Sequence, residues 1–283
     1  MMKRLSIDAT AALVLGALLL LVNLIGLFRT MEEPDLLLDN RATFKGDKQL
    51  ILAEMLPQAD RKPGEDIETY FKRLNQLVNG SIAHLWHSDD AKYRYHGHVP
   101  PWENYILWTL GYLWSERVGQ YEFFDWRKAV ERGIGLCSQH ALVISGILEE
   151  NGIESSIVGL EEHVVATAKT TNGDWWILDP DYGVVIPHDL RTLEQQPELV
   201  SEYYAPSILN CSPPLKTKTC QDVAYMAGIY QSTENNHIYP SGHTGYSWKW
   251  YLIEKAAYLL KWAIPLLLFG YALFRFRQRR RLS

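Results

Sequence analysis

Gly133-Ile134-Gly135-Leu136-Cys137-Ser138-Gln139-His140-Ala141 runs without a break into Leu142-Val143-Ile144-Ser145-Gly146-Ile147-Leu148. The two glycines permit a tight approach to a helix start, and apolar residues then recur at helical spacing until Asn151-Gly152 stops the run. Cys137 therefore falls in the first turn of a mainly buried helix. The unpaired amide N–H groups and the positive end of the helix dipole favour a thiolate there. A cysteine so placed is a candidate nucleophile, although a lone cysteine on an apolar run is more commonly a core residue.

The following segments bear on that choice. Ser156–Leu160, His163–Lys169 and Trp175–Asp179 read as strands, with Thr171-Asn172-Gly173 as the hairpin signal between the last two. The loop length decides the chemistry. A two-residue loop, Asn172-Gly173, sets Asp179 opposite Ala166 and turns His163 to the other face. A three-residue loop ending in a left-handed Gly173 sets Asp179 opposite Val165, and His163 and Asp179 become diagonal neighbours on one face. The second register puts a base beside the thiol and a carboxylate that fixes the tautomer of the base, the parts nucleophilic catalysis needs.

Gly135-Leu136-Cys137-Ser138-Gln139-His140-Ala141, His163-Val164-Val165 and Trp176-Ile177-Leu178-Asp179-Pro180 together resemble the transglutaminase-like superfamily, the papain-like group of transglutaminases and microbial cysteine peptidases. The resemblance covers about residues 130–185 and reaches loosely upstream to a helix at 102–114. It implies an α+β domain in which a helix carrying Cys137 packs on an antiparallel sheet carrying His163 and Asp179. By the same resemblance Cys137 is the nucleophile, His163 the general base and acid, and Asp179 the orienting carboxylate. His163-Val164 departs from relatives that place Ala and an aromatic after the His, which bears on substrate preference. An oxyanion donor is expected from the Cys137 backbone N–H. The superfamily takes a second donor from an upstream side chain, for which Asn104, Trp102 and Trp108 are candidates, Asn104 first. The implied chemistry is attack on a peptide or amide carbonyl to give a thioester, resolved by water in a hydrolase or by an amine in a crosslinking enzyme. Water is the default acceptor. A non-catalytic scaffold or assembly subunit of an envelope or polysaccharide-export system is the alternative from a different class.

The ends have another character. Ala9–Phe28 carries no charge and is just long enough for a hydrocarbon core of about 30 Å. Leu27-Phe28-Arg29-Thr30 lacks a small-x-small cleavage pattern, so a retained anchor is expected. Trp262–Phe274 is apolar and reaches near-spanning length if extended back to Ala256. It is followed by Arg275, Arg277, Arg279, Arg280 and Arg281. These residues, with Lys3 and Arg4, favour cytoplasmic termini. The expected organisation is an anchor over 1–30, an extracytoplasmic domain over 31–250 (periplasmic in a Gram-negative cell), and a second membrane helix with a basic tail over 251–283. The bilayer and an amide-bearing substrate are the expected partners, beside membrane-complex partners of unknown identity. Of the net charge of −5, residues 1–30 carry +2 and 251–283 carry +6, leaving about −13 for the middle. So acidic a domain is repelled by phosphate backbones, which argues against nucleic acid as a partner.

The remaining signals read as structural. Cys211 and Cys220 enclose a short loop, and a bridge there would contribute roughly 2.7 kcal/mol by chain entropy. His84 with His87, and His96 with His98, read as exposed histidines rather than metal ligands, and no cofactor is expected. His140 reads as helix surface. Tyr239-Pro240-Ser241-Gly242-His243 resembles a segment of phosphatidic-acid-phosphatase-type membrane enzymes. Their companion motifs are missing, and a turn is expected instead. Pro57–Asp66 reads as a loop after a helix at Gln49–Leu56, Ile67–Leu85 as a helix, Trp102–Trp114 as a mostly buried helix, and the chain beyond Ile186 as loop-rich.

Overall fold

A computed structural model of the chain describes residues 7–37, 50–84, 93–115, 120–209 and 223–281. Cys211, Cys220 and His87 lie outside these residues. The chain divides into two compact units, one of Met1–Met31, His98–Tyr121 and Lys249–Ser283, the other of Glu32–Gly97 and Glu122–Trp248.

The second unit is an α+β fold. Its elements are α2 (Leu52–Ala59), α3 (Ile67–Ser81), β1 (Ala83–His84), α5 (Trp126–Arg132), β2 (Ile134–Gly135) and α6 (Cys137–Glu150). Strands β3 (Ser155–Gly159), β4 (Val164–Lys169), β5 (Trp175–Asp179) and β6 (Val184–Ile186) follow. The unit closes with α7 (Leu190–Gln195), α8 (Pro197–Leu209), α9 (Val223–Gln231), β7 (His237–Tyr239) and α10 (Gly242–Tyr246). The main sheet is antiparallel, in the order β6-β5-β4-β3-β7, and β1 pairs with β2 in parallel.

The hairpin between β4 and β5 takes the longer of the two loops. Ala166 faces Leu178 and Lys169 faces Trp175. Thr170 and Asp174 close the turn through an N–H···O contact of 2.8 Å, and Gly173 holds φ at +94°. Glycine occupies this left-handed position without steric cost. The same register brings Asp179 level with Val165, on the face that Val165 and Ile177 share.

That face is covered by the C-terminal helices. Val158, Val165, Ile177, Val184 and Ile186 pack with Leu193, Val200, Tyr204, Met226 and Tyr230 in one buried cluster. The described residues between Leu190 and Gln231 are thus mainly helical, against the loop-rich expectation. These helices are short and interrupted, with Asp189 capping α7 through the Thr192 amide, so no long apolar period advertises them. Helix α6 lies along β3 and β4 with none of its residues in that cluster, so the sheet is clothed on both faces.

Helices α2 and α3 end elsewhere than expected. Helix α2 runs on through Pro57 to Ala59 rather than stopping before it. Helix α3 ends at Ser81, freeing Ala83–His84 to pair with β2. The glycines before α6 have separate tasks: Gly133 ends α5 in a left-handed conformation (φ +74°), and a Cβ on Gly135 would collide with the Gln139 side chain.

The first unit contains α1 (Ile7–Gly26), α4 (Pro101–Leu113) and α11 (Trp248–Arg281). Helices α1 and α11 are long and apolar enough to span a membrane. They run antiparallel: Asp8 pairs with Arg275 at 2.9 Å, Gly16 approaches Pro265 and Leu268, and Asn23 Nδ2 donates to the Lys261 carbonyl at 2.5 Å. Pro265 has no N–H for the carbonyl four residues earlier. That carbonyl belongs to Lys261, and Asn23 and the Tyr105 hydroxyl take the place of the missing donor. Helix α4 is not mostly buried as expected, since Tyr112, Leu113 and Trp114 are exposed. In a unit whose surface is itself apolar, hydrophobic character does not imply burial.

Candidate active site

Cys137 opens α6, behind Leu136 at the N-cap position. It is half-buried and is the free cysteine among the described residues. Leu136 offers no capping side chain, and the Glu122 carboxyl serves the helix start instead. It accepts from the Ser138 hydroxyl. Burial pushes the Glu122 carboxyl above its usual range. Gln139 then fastens the helix to the preceding chain. Its Nε2 donates to the Phe123 carbonyl, and its Oε1 accepts from the Phe123 amide and Arg132 Nη2.

His163 stands at the mouth of the β3–β4 hairpin, where its carbonyl accepts from the Leu160 amide at 2.8 Å. Its Nε2 lies 2.8 Å from Asp179 Oδ2, and Cys137 stands close enough to act on the charge of its ring. Since Nε2 is engaged by the carboxylate, Nδ1 is the nitrogen left for the sulfur. Burial opposes a charge on this ring, but Asp179 and Cys137 outweigh it and hold the imidazole well above its ordinary value. The ring edge also meets Tyr182, with centroids 5.4 Å apart.

Asp179 is wholly buried, and its carboxylate receives three donors. Oδ2 takes His163 Nε2 and, at 2.6 Å, the Tyr204 hydroxyl, while Oδ1 takes the Tyr182 amide at 3.2 Å. Tyr230 stands behind Tyr204 at 3.1 Å. Asn75 of α3 donates from Nδ2 to the carbonyls of Asp179 and Val184, tying the end of β5 to the start of β6. The structure thus brings His163 against Asp179 and places Cys137 within electrostatic reach of the same ring.

The three upstream oxyanion candidates lie in the other unit, on α4. Asn104 breaks that helix, with φ −159° and ψ 102°, and its Oδ1 caps the following turn by accepting from the Ile106 and Leu107 amides. Trp108 packs edge-on against Tyr112. Trp102 lies with its backbone against Gly26.

The histidines expected at the surface are engaged. His84 Nδ1 contacts both carboxylate oxygens of the buried Asp181, at 2.8 and 2.9 Å, and His96 pairs with Glu33 at 3.0 Å. His98 is buried against Tyr112. His140 is buried too, each ring nitrogen lying against a backbone carbonyl, Leu136 or Ile82. Each polar ring sits where a carboxylate, carbonyl or aromatic ring receives it, a partnership that spacing alone did not reveal. Among the described residues no three His, Cys, Asp or Glu side chains gather to hold a metal ion. The Tyr239–Tyr246 segment is more than a turn: Glu149 on α6 receives both the amide and Nδ1 of His243.

Sequence reading missed Tyr204, Tyr230, Asn75 and Glu122. Asn75 left a trace, being a polar residue on the apolar stripe of Phe71, Leu74 and Val78. Compared with protein-family models, with curated proteins and with solved structures, the chain gives no match.

Proposed function

We propose that the chain is a membrane-anchored cysteine enzyme of transglutaminase-like, papain-like type, cleaving or transferring the acyl groups of peptide or side-chain amides through a Cys137 thioester. One arrangement supports it above all: His163 stands between a buried carboxylate and a thiol at a helix N-terminus. An imidazole of raised pKa keeps its proton near neutrality, which favours a thiolate–imidazolium pair.

The thiolate attacks the carbonyl carbon, and the oxyanion forms against the Cys137 amide N–H. His163 gives its Nδ1 proton to the departing amine, the C–N bond breaks, and the thioester and a neutral imidazole remain. Water then loses a proton to Nδ1 as its oxygen attacks the thioester. The C–S bond breaks, the acid leaves, and the thiolate–imidazolium pair is restored. An amine can replace water in the second half. Water is the more concentrated acceptor, so hydrolysis is favoured.

The antiparallel apolar helices would anchor the enzyme. With Asp8 and Arg275 at one end, both termini emerge on one side. Lys3, Arg4 and the arginines from Arg275 to Arg281 favour the cytoplasm there. The Cys137 domain is then extracytoplasmic.

The test is the rate at which iodoacetamide modifies Cys137 at pH 7 in the full-length protein, read by mass at that residue. An ordinary thiol is only a few per cent ionised at that pH, so His163→Ala should slow modification by about tenfold or more. Equal rates in the two proteins would sink the enzymatic reading and leave a non-catalytic assembly subunit.

A further inference from the structure

We infer that Tyr204 is a positioning residue of the Cys137–His163–Asp179 site: its phenol shares Asp179 Oδ2 with His163 Nε2, and so sets how tightly the carboxylate holds the imidazolium. The inference rests on the catalytic reading above and goes beyond it, because it gives the helices after the sheet a part in the chemistry.

Proton bookkeeping fixes the direction of the bonds. An ionised carboxylate only accepts, so the single proton of Tyr204 is committed to Asp179, 2.6 Å away. The Tyr204–Tyr230 contact of 3.1 Å must then have Tyr230 donating to the Tyr204 oxygen. The result is a directed chain, Tyr230 to Tyr204 to Asp179, in which each bond polarises the next. Both phenols are completely buried, and burial holds the pKa of each above the usual phenol value, so each keeps the proton it donates.

A donor on Oδ2 withdraws electron density from the atom that also binds His163, and so weakens the pull of the carboxylate on the imidazolium proton. Among the described residues, the groups that face the pair can be named, Tyr182 edge-on against the His163 ring among them. Against His163 stand Asp179 on β5 and Cys137 on α6. Glu161 and Glu162 precede it in an exposed turn, where Glu162 is engaged by Tyr225 of α9. Against Asp179 stand His163, Tyr204 of α8 and Tyr230 of α9. Phenylalanine at 204 keeps the edge-on packing with Tyr182 (5.5 Å) and removes only the hydroxyl.

Iodoacetate reports on the imidazolium directly. The anionic reagent is drawn to Cys137 while His163 is charged, so its rate relative to neutral iodoacetamide falls as the ring loses its proton at high pH. The full-length wild type, Y204F and Y230F are titrated with both reagents. The fall should move up by about half a pH unit in Y204F, the equivalent of one modest hydrogen bond, and by less in the same direction in Y230F. A Y204F profile lying on that of the wild type, or displaced to lower pH, overturns the inference. If Y204F does not fold, Y230F decides on the same terms. A wild-type ratio that never falls removes the ion pair itself, and with it the reading on which the inference stands.

Discussion

Replacing Asp179 by Asn takes away the charge that holds the His163 proton, and the consequence for stability depends on pH in a determinate direction. The folded His163 binds its proton more tightly than an unfolded histidine does. Its stabilising contribution is therefore complete below about pH 6.5, the ordinary imidazole value, and is lost as pH rises through the higher folded value. The difference in unfolding free energy between wild type and Asp179→Asn should be largest near pH 6 and should narrow in alkaline buffer. Denaturant titrations at the two extremes measure it, and a gap that widens with pH would contradict the assignment. At this scale the sequence was legible where chemistry is concentrated in rare residue types: Cys137, His163 and Asp179 were singled out by type, order and local pattern. Tyr204 and Tyr230 were not, because a tyrosine in an apolar run reads as packing until its hydroxyl is seen to meet a buried carboxylate.

The element on which the site turns is the loop Thr171–Gly173. A sheet alternates its faces residue by residue, so a change of one residue in a hairpin loop inverts the strand that follows. Deleting Asn172 should carry Asp179 to the opposite face, away from Tyr204 and His163, and fast modification of Cys137 should disappear even where circular dichroism reports an intact sheet. Restoring the length with a different residue at 172 should bring the reactivity back. Both registers could be written down from the sequence, and the left-handed Gly173 distinguishes them in the structure. The helices past Ile186 were illegible for a different reason. They are short, α8 contains Pro206, and their apolar residues complete a cluster begun by strands far away in sequence, so no local period carries the information.

At the scale of the whole molecule, the apolar helices were visible because membrane-spanning length is a coarse signal that composition alone can carry. The extent of α11 was less visible: charged residues and Pro265 break its apolar run, yet Trp248–Arg281 is one helix. If both ends of the chain face the cytoplasm, a phosphatase reporter fused after Ser283 should be inactive outside the cell, and one inserted at Gly64, on an exposed turn, should be active. The opposite pattern would reverse the topology.

Pro265 gives this pair of helices an address. By omitting one amide hydrogen it leaves a single carbonyl, that of Lys261, unclaimed by its own helix, and Asn23 reaches across to claim it. Alanine at 265 would mend the helix and evict the visitor. Asn23 would then be stranded in apolar surroundings, and the two helices could slide along one another. A flaw in one rod thus serves as the notch by which the other finds its place.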